Sequence, residues 1–260
     1  MSKDIFVFGT CRYCYPEHKN IKLEKKLRKY HSQHYKIGDE INIYTQPVNY
    51  TTKLCDILDS IQYMKGKLYN GLDVKTNIQL QSIFFRGHYG VPDFIQPNTH
   101  PNPNITGGDI KFGKIIIEIF SIKQYIINTK KYGDEFYLKK LPWKIKTNFQ
   151  HNDIHFEETD FIEKHLNKEE CFEILHKIKS EVDCEILIIG PYISRKVPDI
   201  VNKERLGTQN ILKEFCALNN CDYYDMSHLI SMHNIEHDEC HISSFGTQVV
   251  SAVMHDFIIR

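Results

Sequence analysis

The chain has no surplus of either charge: 33 basic and 33 acidic residues among 260 give a formal net charge of zero. A dedicated nucleic-acid binder normally carries a basic excess, so no nucleic-acid partner is expected. A run of about 18 apolar residues is also lacking, which argues against a membrane span. The N-terminus passes from Met1-Ser2-Lys3 straight into a strand pattern, without the apolar stretch of a signal peptide. A soluble, cytoplasmic protein is the expectation. Alanine is nearly missing (Ala217 and Ala252) and there is one tryptophan, while Ile, Lys, Asn and Tyr abound. That bias fits an AT-rich genome, as in large DNA viruses of protists or some bacteria; a viral protein would work in host cytoplasm. The eight cysteines are scattered through a chain with no export signal, which favours reduced thiols over a disulfide framework.

What is present is alternation of short apolar strands with amphipathic helices. Residues 4–9 read as a buried strand, and 12–50 as a polar loop rich in His, Tyr and Lys with a short helix over 22–30. Thr51 or Thr52 is placed to cap a helix carrying Leu54, Ile57, Leu58, Ile61 and Met64 on one face, with Gly66 ending it. A strand over 82–86 stops at Gly87-His88, a Pro/Asn-rich loop covers 92–108, and a further strand covers 114–119. Ser121 leads from it into a predicted helix ending near Lys131, and 132–157 forms an excursion carrying Trp143. Beyond this come a helix over 160–181, whole or broken near Asn167, and a strand over 185–189 ending at Gly190-Pro191. A helix over 202–218, a strand over 221–225 and a last helix over 244–258 complete the pattern. Strands apolar on both faces and alternating with helices predict a single α/β domain over 1–260, with an irregular insertion around 92–157. Its architecture is three-layer and flavodoxin-like, with a mainly parallel sheet of about five strands.

Two short stretches carry candidate chemistry. The first strand ends at Gly9-Thr10-Cys11-Arg12, and a small nucleophile after such a strand sits where open α/β sheets place their sites. A thiol among backbone N–H groups is favoured as thiolate; a buried structural cysteine is the plain alternative. Near the other end, Asp238 lies three residues before His241, at the mouth of the last helix, with Ser243 and Ser244 as caps and Gly246 allowing close approach. The Asp can hold the imidazole in one tautomer, leaving its second nitrogen to take a proton from a nucleophile. Asp-x-x-His also occurs as a simple surface pair. His151 and His155, near Asp153, read as a solvated loop.

Taken together, these stretches resemble the SGNH (GDSL-type) hydrolase superfamily. The likeness is stronger to branches with a Gly-x-Cys nucleophile turn, such as GSCFA-domain proteins and the acetyltransferase-like proteins of capsular polysaccharide synthesis. Ile186–Pro191, Tyr224-Asp225-Met226-Ser227 and Asp238–Gly246 follow in the order that superfamily shows. The likeness covers the two ends and the strand order, not the middle. It implies Cys11 as nucleophile, His241 as base and Asp238 as its orienter. It also implies a site lined by Gly9, Thr10, Arg12, Gly87, His88, Glu118 and Ser121. The backbone N–H of Cys11 would donate to the oxyanion, with Gly87 at the second donor position. The sequence departs from the pattern at Thr10, where an Asp is usual, and at Cys11, where a Ser is usual. It also lacks a Gly-x-Asn-Asp block, reading Glu118-Ile119-Phe120-Ser121 there; Ser121, Arg12 and His88 are the candidate side-chain donors.

The resemblance implies an acyl ester hydrolase or acyltransferase acting on a small-molecule or glycan substrate, with an acetyl group as the expected cargo. No cofactor is required, though acyl-CoA is a compatible donor. Two rival readings stand beside it. One is an inactive relative binding glycan or acyl-CoA. The other is a zinc or redox site built on Cys11-x-x-Cys14 with Cys240, His241 and His237. Nothing in the sequence fixes the oligomeric state.

Overall fold

The computed structural model describes residues 4–9, 33–37, 41–45, 53–65, 67, 111–127, 161–226 and 244–260. Its centre is a six-stranded sheet. Five strands run parallel: β1 (Asp4–Phe8), β3 (Ile41–Thr45), β4 (Lys114–Glu118), β7 (Glu185–Ile189) and β8 (Asp222–Tyr224). In space they lie in the order β3-β1-β4-β7-β8, and β2 (Gln33–Ile37) adds antiparallel at the β3 edge. Numbering only the parallel strands along the chain, this is the 2-1-3-4-5 order of the flavodoxin-like doubly wound sheet. The expected α/β class with about five mainly parallel strands is therefore what the chain forms.

Alternation along each strand sorts side chains into two cores. Phe6, Phe8, Ile115, Ile117, Ile186 and Ile188 face one layer, built by α1 (Leu54–Met64), α2 (Lys168–Val182) and α3 (Asp199–Asn219). Ile5, Val7, Ile116, Leu187 and Ile189 face the other, where α4 (Ser244–Ile259) contributes Val250, Met254, Phe257 and Ile258. On α1, Leu54, Ile57, Leu58 and Ile61 are buried as the helical spacing predicts. Asn167 caps α2 by accepting from the Glu170 N–H at 2.8 Å, and the Glu170 carboxylate returns the bond to the Asn167 N–H at 3.0 Å. This capping box explains why the helical pattern breaks there.

Several expectations are corrected. The stretch expected as loop over 12–50 contains β2 and β3; their alternate polar residues (His34, Lys36, Asn42, Tyr44) suit strands at a sheet margin. The helix predicted after Ser121 is instead β5 (Lys123–Ile127), pairing antiparallel with β6 (Phe161–His165). The helix predicted over 160–181 thus begins as a strand and becomes helical only at Lys168. Helix α3 starts at Asp199, earlier than its apolar spacing suggested; Pro198 is its N-cap, extended in backbone, and its carbonyl accepts from the Asn202 N–H at 3.2 Å. The predicted strand over 82–86, the loop over 92–108 and Trp143 lie outside the described residues.

Candidate functional site

A parallel sheet wound by right-handed crossovers collects its strand ends and the following helix starts at one edge. The exit of β4 meets the start of α1, where Leu54 N–H donates to Ser121 O at 3.3 Å and Lys53 bridges Ser121. Leu166, just before α2, donates to Ile122 O at 3.2 Å. Helix α4 has its far end at the opposite edge: Lys114, first in β4, donates to Phe257 O at 2.9 Å, and Arg260 pairs with Asp222, first in β8, at 2.7 Å. Its start at Ser244 therefore lies toward the carboxyl edge. The positive dipole ends of the helices converge there, and such ends favour developing negative charge.

Within that edge, the crevice at the reversal of strand order lies between β1 and β4. The last register pair is Phe8 with Ile117; one residue further on stand Gly9 and Glu118. Both are buried, Glu118 with 1% of its surface exposed. Position 118 shares parity with Ile116, so its side chain is on the α4 face. Two of the residues expected in the site thus flank the switch point. Ser121 lies just beyond, at the turn from β4 to β5, where its Oγ accepts from the Lys123 N–H at 3.1 Å. The side chain shapes this turn by a local hydroxyl-to-backbone bond.

The next strand end is braced in a way the sequence reading did not anticipate. Asn202, Arg205 and Gln209 project from one side of α3 toward the segment leaving β7. Gln209 Nε2 donates to Pro191 O at 2.6 Å, Arg205 Nη1 to Tyr192 O at 3.3 Å, and Asn202 Nδ2 to Ser194 O at 2.7 Å. Asn202 Oδ1 in turn accepts from Ser194 N–H at 3.0 Å. The Arg205 guanidinium also lies over the rings of Phe120, at 4.5 Å, and Tyr192, at 5.2 Å, joining the exits of β4 and β7. The signal was available in the sequence: Arg205, Thr208 and Gln209 continue the buried stripe of Leu212, Phe215 and Cys216, so polar groups occupy core positions.

Cys11, His241 and Asp238 lie outside the described residues, as do Thr10, Arg12, Gly87 and His88. So do Cys14, His237 and Cys240 of the zinc or redox reading, and His151, Asp153 and His155. Among the described residues, no cluster of three His, Cys, Asp or Glu side chains is arranged to hold a metal ion. Also among them, no helix is long and apolar enough to cross a membrane.

No protein-family model matches the chain, and no curated protein matches it. Among solved structures, the chain is similar to a catalytic mutant of Axe2, an acetylxylan esterase from Geobacillus stearothermophilus. The match has a TM-score of 0.39 and 8% identity, covering 98% of this chain and 93% of that one. The fold assignment rests on strand order and register.

Proposed function

We propose that the chain is an SGNH-like acyl ester hydrolase or acyltransferase, moving an acetyl group on a carbohydrate or other small ester through Cys11, His241 and Asp238. The observation that carries this reading is the meeting of Gly9 and Glu118 at the switch-point crevice of a flavodoxin-order sheet. Chain length supplies further support. Cys11 follows Phe8, the last residue of β1, by three residues, a chain length of at most about 11 Å. His241 precedes Ser244 by three residues, within about 11 Å of the start of α4. The stretches proposed to carry nucleophile and base therefore join the described structure at Gly9 and at Ser244, which supports this reading.

In this mechanism His241 takes the Cys11 proton while Asp238 holds the ring, and the thiolate adds to the acyl carbonyl. The oxyanion is met by the backbone N–H groups of Cys11 and Gly87 and by the helix starts around the crevice. Arg12, His88 and Ser121 are the side chains proposed to supply the further donor that an Asn block would give. The thioester then passes its acyl group to water or to a sugar hydroxyl, with acyl-CoA as a compatible donor. Losing one oxyanion donor costs about 10²–10³ in rate, so a site lacking it is slow rather than inert.

The test is burst kinetics with p-nitrophenyl acetate and with acetyl-CoA, reading intact mass during turnover. An acetyl adduct present in the native protein and lost in Cys11→Ala, with its formation slowed in His241→Ala, is the expected result. No adduct with either donor, and no difference between variants, overturns the reading in favour of a binding protein.

A further inference from the structure

The C-terminal end of α3 carries two cysteines, Cys216 and Cys221, joined through its closing turn. Asn220 is left-handed (φ 52°, ψ 50°), and its N–H donates to the Cys216 carbonyl. The next N–H, that of Cys221, donates to the same carbonyl at 3.3 Å. In helix endings with such a six-to-one bond, the side chain of the donating residue frequently packs against that of the accepting one. Those two residues are Cys221 and Cys216.

Their surroundings agree. Cys216 is buried in the core under α3, and Cys221 is a partly buried neighbour of the same core. Cys216 Sγ lies 3.8 Å from Asp222 O and Cys221 Sγ 3.7 Å from Asn219 O, so both sulfurs sit within one four-residue turn. Both feel the same ammonium, Lys179 of α2, which donates to Asn219 O, and both feel the carboxylate of Asp222. Each sulfur is also within electrostatic reach of the other.

We infer that Cys216 and Cys221 form a dithiol that closes to a reversible disulfide by exchange with a low-molecular-weight disulfide. Cys221, the less buried thiol, attacks first: its thiolate forms a bond to one sulfur of the small disulfide, the old S–S bond breaks, and one thiolate leaves. The Cys216 thiolate then attacks Cys221 Sγ and expels the second. Two electrons pass from the pair to the reagent, which departs as two thiols carrying the two cysteine protons. The closed form ties the last turn of α3 to the residue that begins the approach to β8. Burial pushes Cys216 up to about 12 and raises Cys221 as well, so at neutral pH both are held as thiols and exchange is slow.

The test treats the folded full-length chain with oxidised glutathione at mildly alkaline pH, blocks remaining thiols with N-ethylmaleimide, and digests with endoproteinase Asp-N. Cleavage before Asp199 and Asp222 isolates residues 199–221, which contain Cys216 and Cys221 and exclude Cys240. The expected peptide lacks two hydrogens, takes no maleimide and regains both thiols with dithiothreitol. In Cys216→Ser the second attack is lost, and glutathione stays on Cys221. A native peptide that keeps two alkylatable thiols, or that retains glutathione on Cys221 despite an intact Cys216, overturns the inference. The wild-type result decides the matter alone, so poor folding of the variant leaves the test intact.

Discussion

An ideal Cβ built on Gly190 overlaps the phenolic oxygen of Tyr223 and stands 3.0 Å from its Cζ. The two residues belong to neighbouring strand ends, with Gly190 N–H donating to Tyr224 O at 3.4 Å. Glycine is required here by close approach, since no side chain fits beneath the ring. Gly190→Ala is expected to cost about 1–3 kcal/mol of stability, the usual range for overpacking. The Tyr223 hydroxyl is buried and makes no hydrogen bond among the described residues. Tyr223→Phe should therefore be neutral or stabilising, because it removes an unsatisfied polar group. In Gly190→Ala/Tyr223→Phe the cost should fall below the sum of the single effects. Urea unfolding of the four proteins measures the coupling; strict additivity would refute the contact.

The capping box of α2 makes a pH-dependent prediction. Hydrogen bonds from Lys164 and from the Asn167 backbone hold the Glu170 carboxyl below its ordinary value. At Glu181, burial pushes upward, but hydrogen bonds from Lys67 and Lys65 outweigh it and the net direction is down. A carboxylate depressed in the folded state contributes stability above its unfolded pKa of about 4.3 and loses it as pH falls through the folded value. Asn167→Ala should cost about 1 kcal/mol at neutral pH. Glu170→Gln should flatten part of the acid limb of the stability curve. Thermal melts from neutral to acid pH check both, and an unchanged acid limb in Glu170→Gln would count against the ion pair.

The parts of this fold legible in the sequence were those buried on both sides. Ile5–Phe8, Lys114–Glu118 and Glu185–Ile189 are nearly continuous apolar runs, and central strands of a parallel sheet must be. Strands β2 and β3 were hidden because every second residue is polar and the stretch resembles a loop. Strand β5 was misread because five residues with a Lys, a Gln and three large hydrophobics fit a helix turn equally well; the deciding partner, β6, lies more than thirty residues away. At the site, Gly9 was legible as the end of the first strand, and Glu118 only through the resemblance, where an Asn block would stand. Their adjacency comes from the pairing of β1 with β4, which local patterning does not encode. The α3 brace was missed because polar residues at core positions declare themselves only once the stripe they continue is known to be buried.

At Asp183 the backbone shape and the side chain disagree. It ends α2 in the left-handed region (φ 46°, ψ 45°), donating its N–H to Lys179 O. A Cβ is disfavoured at such an angle, and a carboxylate at a helix C-terminus opposes the dipole. Asp183→Gly is expected to stabilise the protein by about 0.5–1 kcal/mol, the smaller strain outweighing the greater freedom of glycine in the unfolded chain. A rise in the urea midpoint with an unchanged slope is the supporting measurement. A fall would mean that the carboxylate does more in the folded state than end the helix.

The brace from α3 predicts how the segment leaving β7 responds when its bonds are removed one at a time. Asn202 satisfies both backbone groups of Ser194, so Asn202→Ala should loosen that residue with little disturbance of the core. Arg195 and Lys196 follow directly, and their backbone is the natural reporter. Tryptic cleavage after Arg195 and Lys196 should accelerate in Asn202→Ala under native conditions while global unfolding shifts by only about 1 kcal/mol. Arg205→Ala removes a charged hydrogen bond together with two ring contacts, and should cost about 2–3 kcal/mol in global stability. Arg205→Lys should recover little of it, since an ammonium lacks the flat face that lies over Phe120 and Tyr192. If Asn202→Ala left tryptic cleavage unchanged while Arg205→Ala alone accelerated it, the segment would be held by the cation and its rings, and the amide bonds to Ser194 would be incidental to its rigidity.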